Sequence, residues 1–363
     1  MSDISTIAKV FARLSVGAFG GPAAHVAMMN EEFVYKRRWL SQEKFLNIVA
    51  ATQLIPGPNS TELAMHIGYL RAGWKGLLVA GAAFICPAAI IVAGAAWFYQ
   101  AYGQLPWLEA VFSGLRPVIV AIIGQALWGF GRDTLKSRNE IILFVAFLAA
   151  IFAGAGEIAI VGAGLVVGII GYYWSIRRTF RPGTMGGLEP IGLLAIFLAF
   201  AKVGSVLFGS GYVLVAFLRS EIVEHRHWMS EKLLLDAIAI GQMTPGPVFT
   251  TATFIGWMLS GPAGALVATV GIFLPAFVFV ALSVPLLNRL QGSLLFKSVL
   301  RGVLVASLAA MASVIPKLAN GFTDSPWQLA VAGGAWIGLT FFRLPSQWLL
   351  VSAGAFALAR FLL

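Results

Sequence analysis

The sequence predicts an all-α membrane protein built from two inverted-topology copies of one helical unit. Three observations carry this. The 363-residue chain is 59% hydrophobic and only 11% charged, with a mean hydropathy of +0.87, a balance foreign to soluble domains. A Pro-Gly-Pro break at Pro56-Gly57-Pro58 returns 189 positions later as Pro245-Gly246-Pro247. The connectors between apolar runs alternate between Lys/Arg-rich and Lys/Arg-free, as loops on opposite sides of a bilayer do.

Composition also excludes function classes. The formal net charge is +10, but the basic residues sit in connectors, where they read as orientation in a lipid bilayer and not as a nucleic-acid surface. The single cysteine, Cys86, rules out an internal disulfide, and the four histidines have no metal or haem spacing. No cofactor, metal or catalytic residue is expected, so an enzyme that reduces its substrate is not favoured. The stretch from Met1 to Val10 lacks the small-residue cleavage pattern of a secretory signal, and the first apolar segment is expected to stay in the mature protein.

In chain order, the first apolar segment runs from Ile4 to Met29, carries Arg13 and is interrupted by Phe19-Gly20-Gly21-Pro22. Two glycines and a proline in succession predict a broken helix. After the charged connector Asn30 to Lys44, the Pro-Gly-Pro break separates two arms, Ser41 to Ile55 and Asn59 to Ala72. Each arm is about 22 Å long, too short for a hydrocarbon core of ~30 Å. They predict a re-entrant helical hairpin, with Gly57 as N-cap and Pro58 at the first helical position, so that a helix begins at the tip. Four further transmembrane helices follow, near Gly76 to Phe98, Leu108 to Phe130, Ile141 to Phe152 and Ile158 to Trp174. One broken helix and four spans make five crossings, with Arg132 to Arg138 and Arg177 to Arg181 on the cytoplasmic side.

A Pro/Gly-rich linker, 181–190, separates a first repeat, 1–180, from a second, 191–363. The offset of 189 pairs Arg13 with Lys202, Phe19 with Phe208, Glu32 with Glu221, Arg37 with Arg226, Trp39 with Trp228, Gln53 with Gln242 and Thr61 with Thr250. That register identifies an internal duplication. The later spans lie near Ala263 to Leu287, Lys297 to Leu318, Trp327 to Phe342 and Gln347 to Leu362. An odd number of crossings turns the second copy upside down, and inverted repeats joined through broken helices are a recurring build of secondary transporters.

The candidate site follows from this arrangement. If the two tips meet near the midplane, each helix start supplies roughly half a positive charge, and Arg13 and Lys202 add one each, which suits a dianion. Gly57, Pro58, Gly246 and Pro247 form the tips. Asn59, Ser60, Thr61, Thr250 and Thr251 offer donors to oxyanion oxygens, or serve as ordinary caps. Gln53 and Gln242, three residues before each tip, line the cavity or satisfy freed backbone groups. Arg13 has the alternative of snorkelling to the headgroups. Glu32 with Arg37, and Glu221 with Arg226, read as gates or as interfacial ion pairs anchored by Trp39 and Trp228. His25, Glu62 and His66 are the titrating groups available for coupling.

Taken in order, Phe19-Gly20-Gly21-Pro22 with His25, Glu32-Phe33-Val34, Arg37-Arg38-Trp39-Leu40-Ser41, Gln53, Pro56-Gly57-Pro58-Asn59 and Gly68 resemble the chromate ion transporter family. The second half resembles the other domain of its two-domain members through Phe208-Gly209, Glu221, Trp228-Met229-Ser230, Gln242 and Pro245-Gly246-Pro247. It departs at Ser210-Gly211, where Gly-Pro is replaced, and at Val248, where the Asn after Pro-Gly-Pro is lost. The resemblance covers nearly the whole chain. It implies a multi-pass protein of a bacterial-type inner membrane that exports chromate, or a related tetrahedral oxyanion such as sulfate, as an antiporter involving sulfate or protons. With the inverted repeat it implies alternating access. The expected partners are chromate or sulfate, the bilayer and, at most, a second copy in a homodimer. An oxyanion channel using the same tips without alternating exposure stands as the alternative.

Overall fold

The computed structural model describes residues 3–17, 21–52, 55–173, 192–208, 213–283, 294–320, 322 and 325–363. The linker 181–190, Gln53, Arg289 and the break residues Phe19-Gly20 and Gly209-Ser210-Gly211 lie outside them. The described residues form fourteen α-helices and no strand. The first repeat contributes α1 (Asp3–Gly17), α2 (Gly21–Asn30), α3 (Gln42–Thr52), α4 (Asn59–Tyr102), α5 (Pro106–Thr134), α6 (Arg138–Phe152) and α7 (Glu157–Tyr173). The second contributes α8 (Leu193–Val206), α9 (Val213–Leu218), α10 (Glu231–Met243), α11 (Thr251–Ser283), α12 (Leu294–Ala319), α13 (Pro326–Thr340) and α14 (Ser346–Leu362).

The two halves repeat each other down to unusual backbone. Each broken helix resumes and runs into a π-helical turn, Glu31–Lys36 or Arg219–His225. Beyond it a non-glycine residue takes a left-handed conformation, Arg38 at φ 51° and His227 at φ 52°. These two residues are counterparts at the offset of 189.

α4 and α11 are not straight. Ala72 and Gly73 (φ 60°) break α4, and Ser260 and Gly261 (φ 59°) break α11. Glycine tolerates this turn because it carries no Cβ. Each helix doubles back so tightly that Gly68 meets Gly76, and Gly256 meets Gly264, backbone to backbone. The hairpin expected from the sequence therefore continues through a second reversal into a long helix. The matched glycines are 188 positions apart, one fewer than the tips. The second copy has lost a residue just past its tip, where the 3-10 turn Val248–Thr250 replaces the clean α-helical start at Asn59.

Among the described residues, four helices are long and apolar enough to cross a membrane: Asn59–Tyr102, Pro106–Thr134, Val248–Ser283 and Ser298–Ala319. The last two helices of each repeat have 15 and 17 residues, about 22 and 26 Å. The four spans expected in each repeat are thus two long helices and two short ones. The short helices are exchanged between repeats. Gly114 of α5 lies against Ala353 of α14, while its counterpart Gly302 of α12 lies against Gly164 of α7. Small residues at both crossings let backbones touch, which is how helices pack where lipid removes the hydrophobic drive.

A methyl group at Gly76 would strike the Gly68 carbonyl, whereas one at Gly94 of α4 meets nothing within 4 Å. Gly76→Ala is expected to destabilise the protein by about 2 kcal/mol or more, and Gly94→Ala to be neutral or stabilising by up to ~1 kcal/mol. Thermal unfolding of the two variants in detergent measures the contrast.

Candidate functional site

A Pro-Gly-Pro tip has one backbone N–H to satisfy, the glycine's, because proline has none. Gly57 (φ 139°) donates its N–H to the carbonyl oxygen of Leu207 at 2.8 Å. Leu207 is the extended residue just past α8, the broken first helix of the other repeat. Gly57 also lies against Ala276 of α11. The second tip mirrors this: Gly246 (φ 95°) rests on Ala88 of α4 and beside Ser15 near the end of α1. Ala88 and Ala276 are counterparts, and each follows a proline inside its helix, Pro87 or Pro275. Each tip is thus seated in the opposite repeat, and such reciprocal contacts describe a pseudo-two-fold axis. Neither helix start beyond a tip has a side-chain cap, so first-turn amides point out of both.

Arg13 and Lys202 do not stand alone at the tips. Arg13 Nη2 lies 2.5 Å from Glu32 Oε1, which Arg37 Nε also reaches at 2.6 Å. In the second repeat Lys202 Nζ lies 2.7 Å from Glu221 Oε2, and Arg226 Nε 2.8 Å from Oε1. Each carboxylate is buried under two cations, so each triad keeps a net charge of +1. Burial pushes the Glu221 carboxyl up, and hydrogen bonds from Lys202 and Arg226 more than reverse it, holding it below the usual carboxylate range. Arg37 and Arg71 lie over the Trp39 ring, and Arg226 lies over Trp228. The anchoring tryptophans and the ion pairs form one cluster in each half.

The other predicted residues divide. Ser60, Thr61 and Glu62 are buried in the first turn of α4, beside Asn59 and the tip formed by Gly57 and Pro58. Thr250 and Thr251 are buried beyond Pro247, but their hydroxyls donate to the carbonyls of Pro247 and Val248, each at 2.8 Å. A hydroxyl has one proton to donate, and in this structure both threonines give it to a backbone carbonyl of their own turn. Gln242 is buried on α10. His25 is buried on α2, with its ring edge-on to Phe84 at 5.6 Å.

A polar network between the repeats is absent from the sequence reading. Asp236, fully buried on α10, receives hydrogen bonds from Arg116 Nε at 2.8 Å, Arg116 Nη2 at 3.0 Å and the Tyr99 hydroxyl at 2.7 Å. Arg116 also reaches Glu109 at 2.9 Å, and Lys232 lies 3.0 Å from that same carboxylate. Tyr99, Glu109 and Lys232 border a cavity of about 390 Å³. The signal was available: Asp236 in Leu-Leu-Leu-Asp-Ala-Ile and Arg116 within an apolar span are ionisable groups at membrane depth, which need partners.

These features define a multi-pass, all-α membrane protein of two pseudo-symmetric repeats whose backbone breaks interlock. The chain belongs to the chromate transporter family, whose model matches residues 5–171 and again 194–359. It is 27% identical over 368 residues to a chromate transport protein of Cupriavidus metallidurans, covering 97% of this chain and 92% of that protein. It is 29% identical to a probable chromate transport protein of Synechococcus elongatus, over 86% of this chain and 84% of the relative. With a chromate transport protein of Pseudomonas aeruginosa the identity is 30%, over 74% and 70%. No solved structure matches the chain.

Replacing Asp236 with alanine leaves Arg116 inside the bundle with only Glu109. The expected loss of stability is about 3 kcal/mol, read as a lower thermal midpoint in detergent than that of Glu109→Ala, whose side chain is part-exposed.

Proposed function

We propose that this protein exports chromate, or a tetrahedral oxyanion of like charge such as sulfate, across the inner membrane by alternating access. In this reading it is an antiporter that takes one oxyanion out against another. The reciprocal seating of the two Pro-Gly-Pro tips carries the reading. Two uncapped helix starts approach the break of the opposite repeat, and helix starts are anion sites by virtue of their amides and dipole. The pseudo-two-fold relation supplies two equivalent openings. Releasing tip 57 from Leu207 exposes one face of the site, and releasing tip 246 from Ser15 exposes the other.

Within this proposal the repeats 1–180 and 191–363 are the two moving halves. Gly57, Pro58, Asn59, Ser60 and Thr61 with Gly246 and Pro247 hold the anion, and Gln53 and Gln242 flank it. Arg13 and Lys202 act through the net charge of their triads. Their side chains are 63% and 48% exposed, and Glu32 and Glu221 already occupy them. They raise the local potential without direct ligation. Glu32–Arg37 and Glu221–Arg226 brace the broken helices that the tips must leave.

Purified protein in liposomes preloaded with chromate tests this. Sulfate or chromate outside is expected to accelerate release of the internal anion several-fold over an anion-free exterior. Release at the same rate whatever anion is outside identifies a channel instead.

A further inference from the structure

Glu62 lies in the first turn of α4, four residues past Pro58. Its side chain is wholly buried, and neither carboxylate oxygen has a hydrogen-bond partner. It leans on the tip, since a Cβ at Gly57 would collide with Oε1. One turn further on, buried His66 donates its Nδ1–H to the Glu62 carbonyl at 2.9 Å. The neutral ring then has Nε2 as an acceptor, and that nitrogen is also buried without a partner.

The ionisable groups on elements packed against α4 do not compensate this carboxyl. On α1, Lys9 is exposed and Arg13 is held by Glu32; on α10, Asp236 is held by Arg116, Glu231 by Arg219 and Lys232 by Glu109. The charges of α3, Glu43 and Lys44, stand at its start, away from the tip, and α11 carries none. α2 brings His25, packed on Phe84. In the second repeat Thr250 and Thr251 occupy the corresponding place, each bonded to its own turn. The acid belongs to one tip only.

A carboxylate with neither cation nor donor is costly out of water. The α4 start would favour its charge, but that start is the proposed seat of the substrate. An ionised Glu62 and an oxyanion there repel each other and compete for the same amides. A protonated Glu62 removes the repulsion and turns its O–H into a donor for an oxyanion oxygen. Linkage is reciprocal: if the proton favours the anion, the anion favours the proton.

We propose that the oxyanion binds together with one proton carried on Glu62, so that anion and proton cross the membrane in the same direction. The proton is taken from water on the loading side and returned to water on the other, and a dianion then moves with a net charge of −1. This rests on the transport reading above and assigns the ion that accompanies the substrate.

The test is chromate binding to the full-length protein in detergent as a function of pH, with proton uptake followed in weak buffer on the alkaline side of chromate's own protonation. Above the pH at which Glu62 ionises in the free protein, the wild type is expected to take up close to one proton per anion, with affinity falling roughly tenfold per pH unit; below it, neither uptake nor slope is expected. Glu62→Gln, which keeps the neutral shape, is expected to bind chromate without proton uptake and with that slope removed. Chromate's own titration is common to both proteins and cancels in the comparison. Wild-type affinity that stays flat into the alkaline range, or that falls there without proton uptake, overturns the inference whether or not the variant folds, as does an unchanged pH slope in Glu62→Gln. Absence of chromate binding by the wild type overturns the transport reading and this inference with it.

Discussion

A chain that breaks its helices inside a bilayer must satisfy the freed backbone groups with protein, because lipid offers no hydrogen bonds. Here two breaks answer each other. Pro56-Gly57-Pro58 reduces the tip to a single donor, and that donor meets the carbonyl of Leu207 at 2.8 Å, an acceptor released where α8 stops. The rest of the architecture keeps this junction in place. Gly68 and Gly76 fold the arm back, Ala88 and Ala276, each just after an in-helix proline, receive the opposite tips, and the exchanged short helices tie the repeats into one bundle. Because this hydrogen bond joins the two repeats, any change in their relative position would act on it, which is what the proposed alternating access needs.

Symmetry accounts for the scaffold, and departures from it carry the chemistry proposed here. The triads around Glu32 and Glu221, the left-handed Arg38 and His227, and the folded glycine arms occur in both halves. Glu62 and His66 have no acidic or imidazole counterpart, and the Arg116–Asp236 pair is not repeated either. Two half-sites that began alike have become one neutral tip, whose threonine hydroxyls bond back to their own turn, and one with a buried acid. A binding site for one anion at a pseudo-two-fold axis has room for such division of labour.

Much of the fold was legible in the sequence, because a bilayer imposes length and polarity on every segment. Composition placed the chain in the membrane, and the register of 189 exposed the duplication. The ends of the arms were legible, since the arm from Asn59 stops at Ala72 and the next spans begin at Gly76 and Ala263, but the tight doubling back of Gly68 on Gly76 and of Gly256 on Gly264 was not, and the one-residue loss after Pro247 hid the second register. Of the site, the tips and the Glu32–Arg37 and Glu221–Arg226 pairs were read from recurrence. That Arg13 and Lys202 complete those pairs was not, since 19 intervening positions say nothing about which carboxylate a long side chain will reach. Thr250 and Thr251 looked like donors because residue type does not reveal a hydroxyl already spent on its own turn. Nor does sequence tell a helix which repeat it will pack against, so the exchange of α7 and α14 needed coordinates.

The central claim is that the two tips, each seated in the other repeat, build one oxyanion site. Chromium scatters X-rays anomalously, so crystals of the protein grown with chromate locate the ion directly. The account predicts one chromium per chain between the helix starts at Asn59 and Val248, within hydrogen-bond reach of their first-turn amides. Chromium bound instead at the Arg13–Glu32–Arg37 or Lys202–Glu221–Arg226 clusters, or at two separate positions, would contradict it.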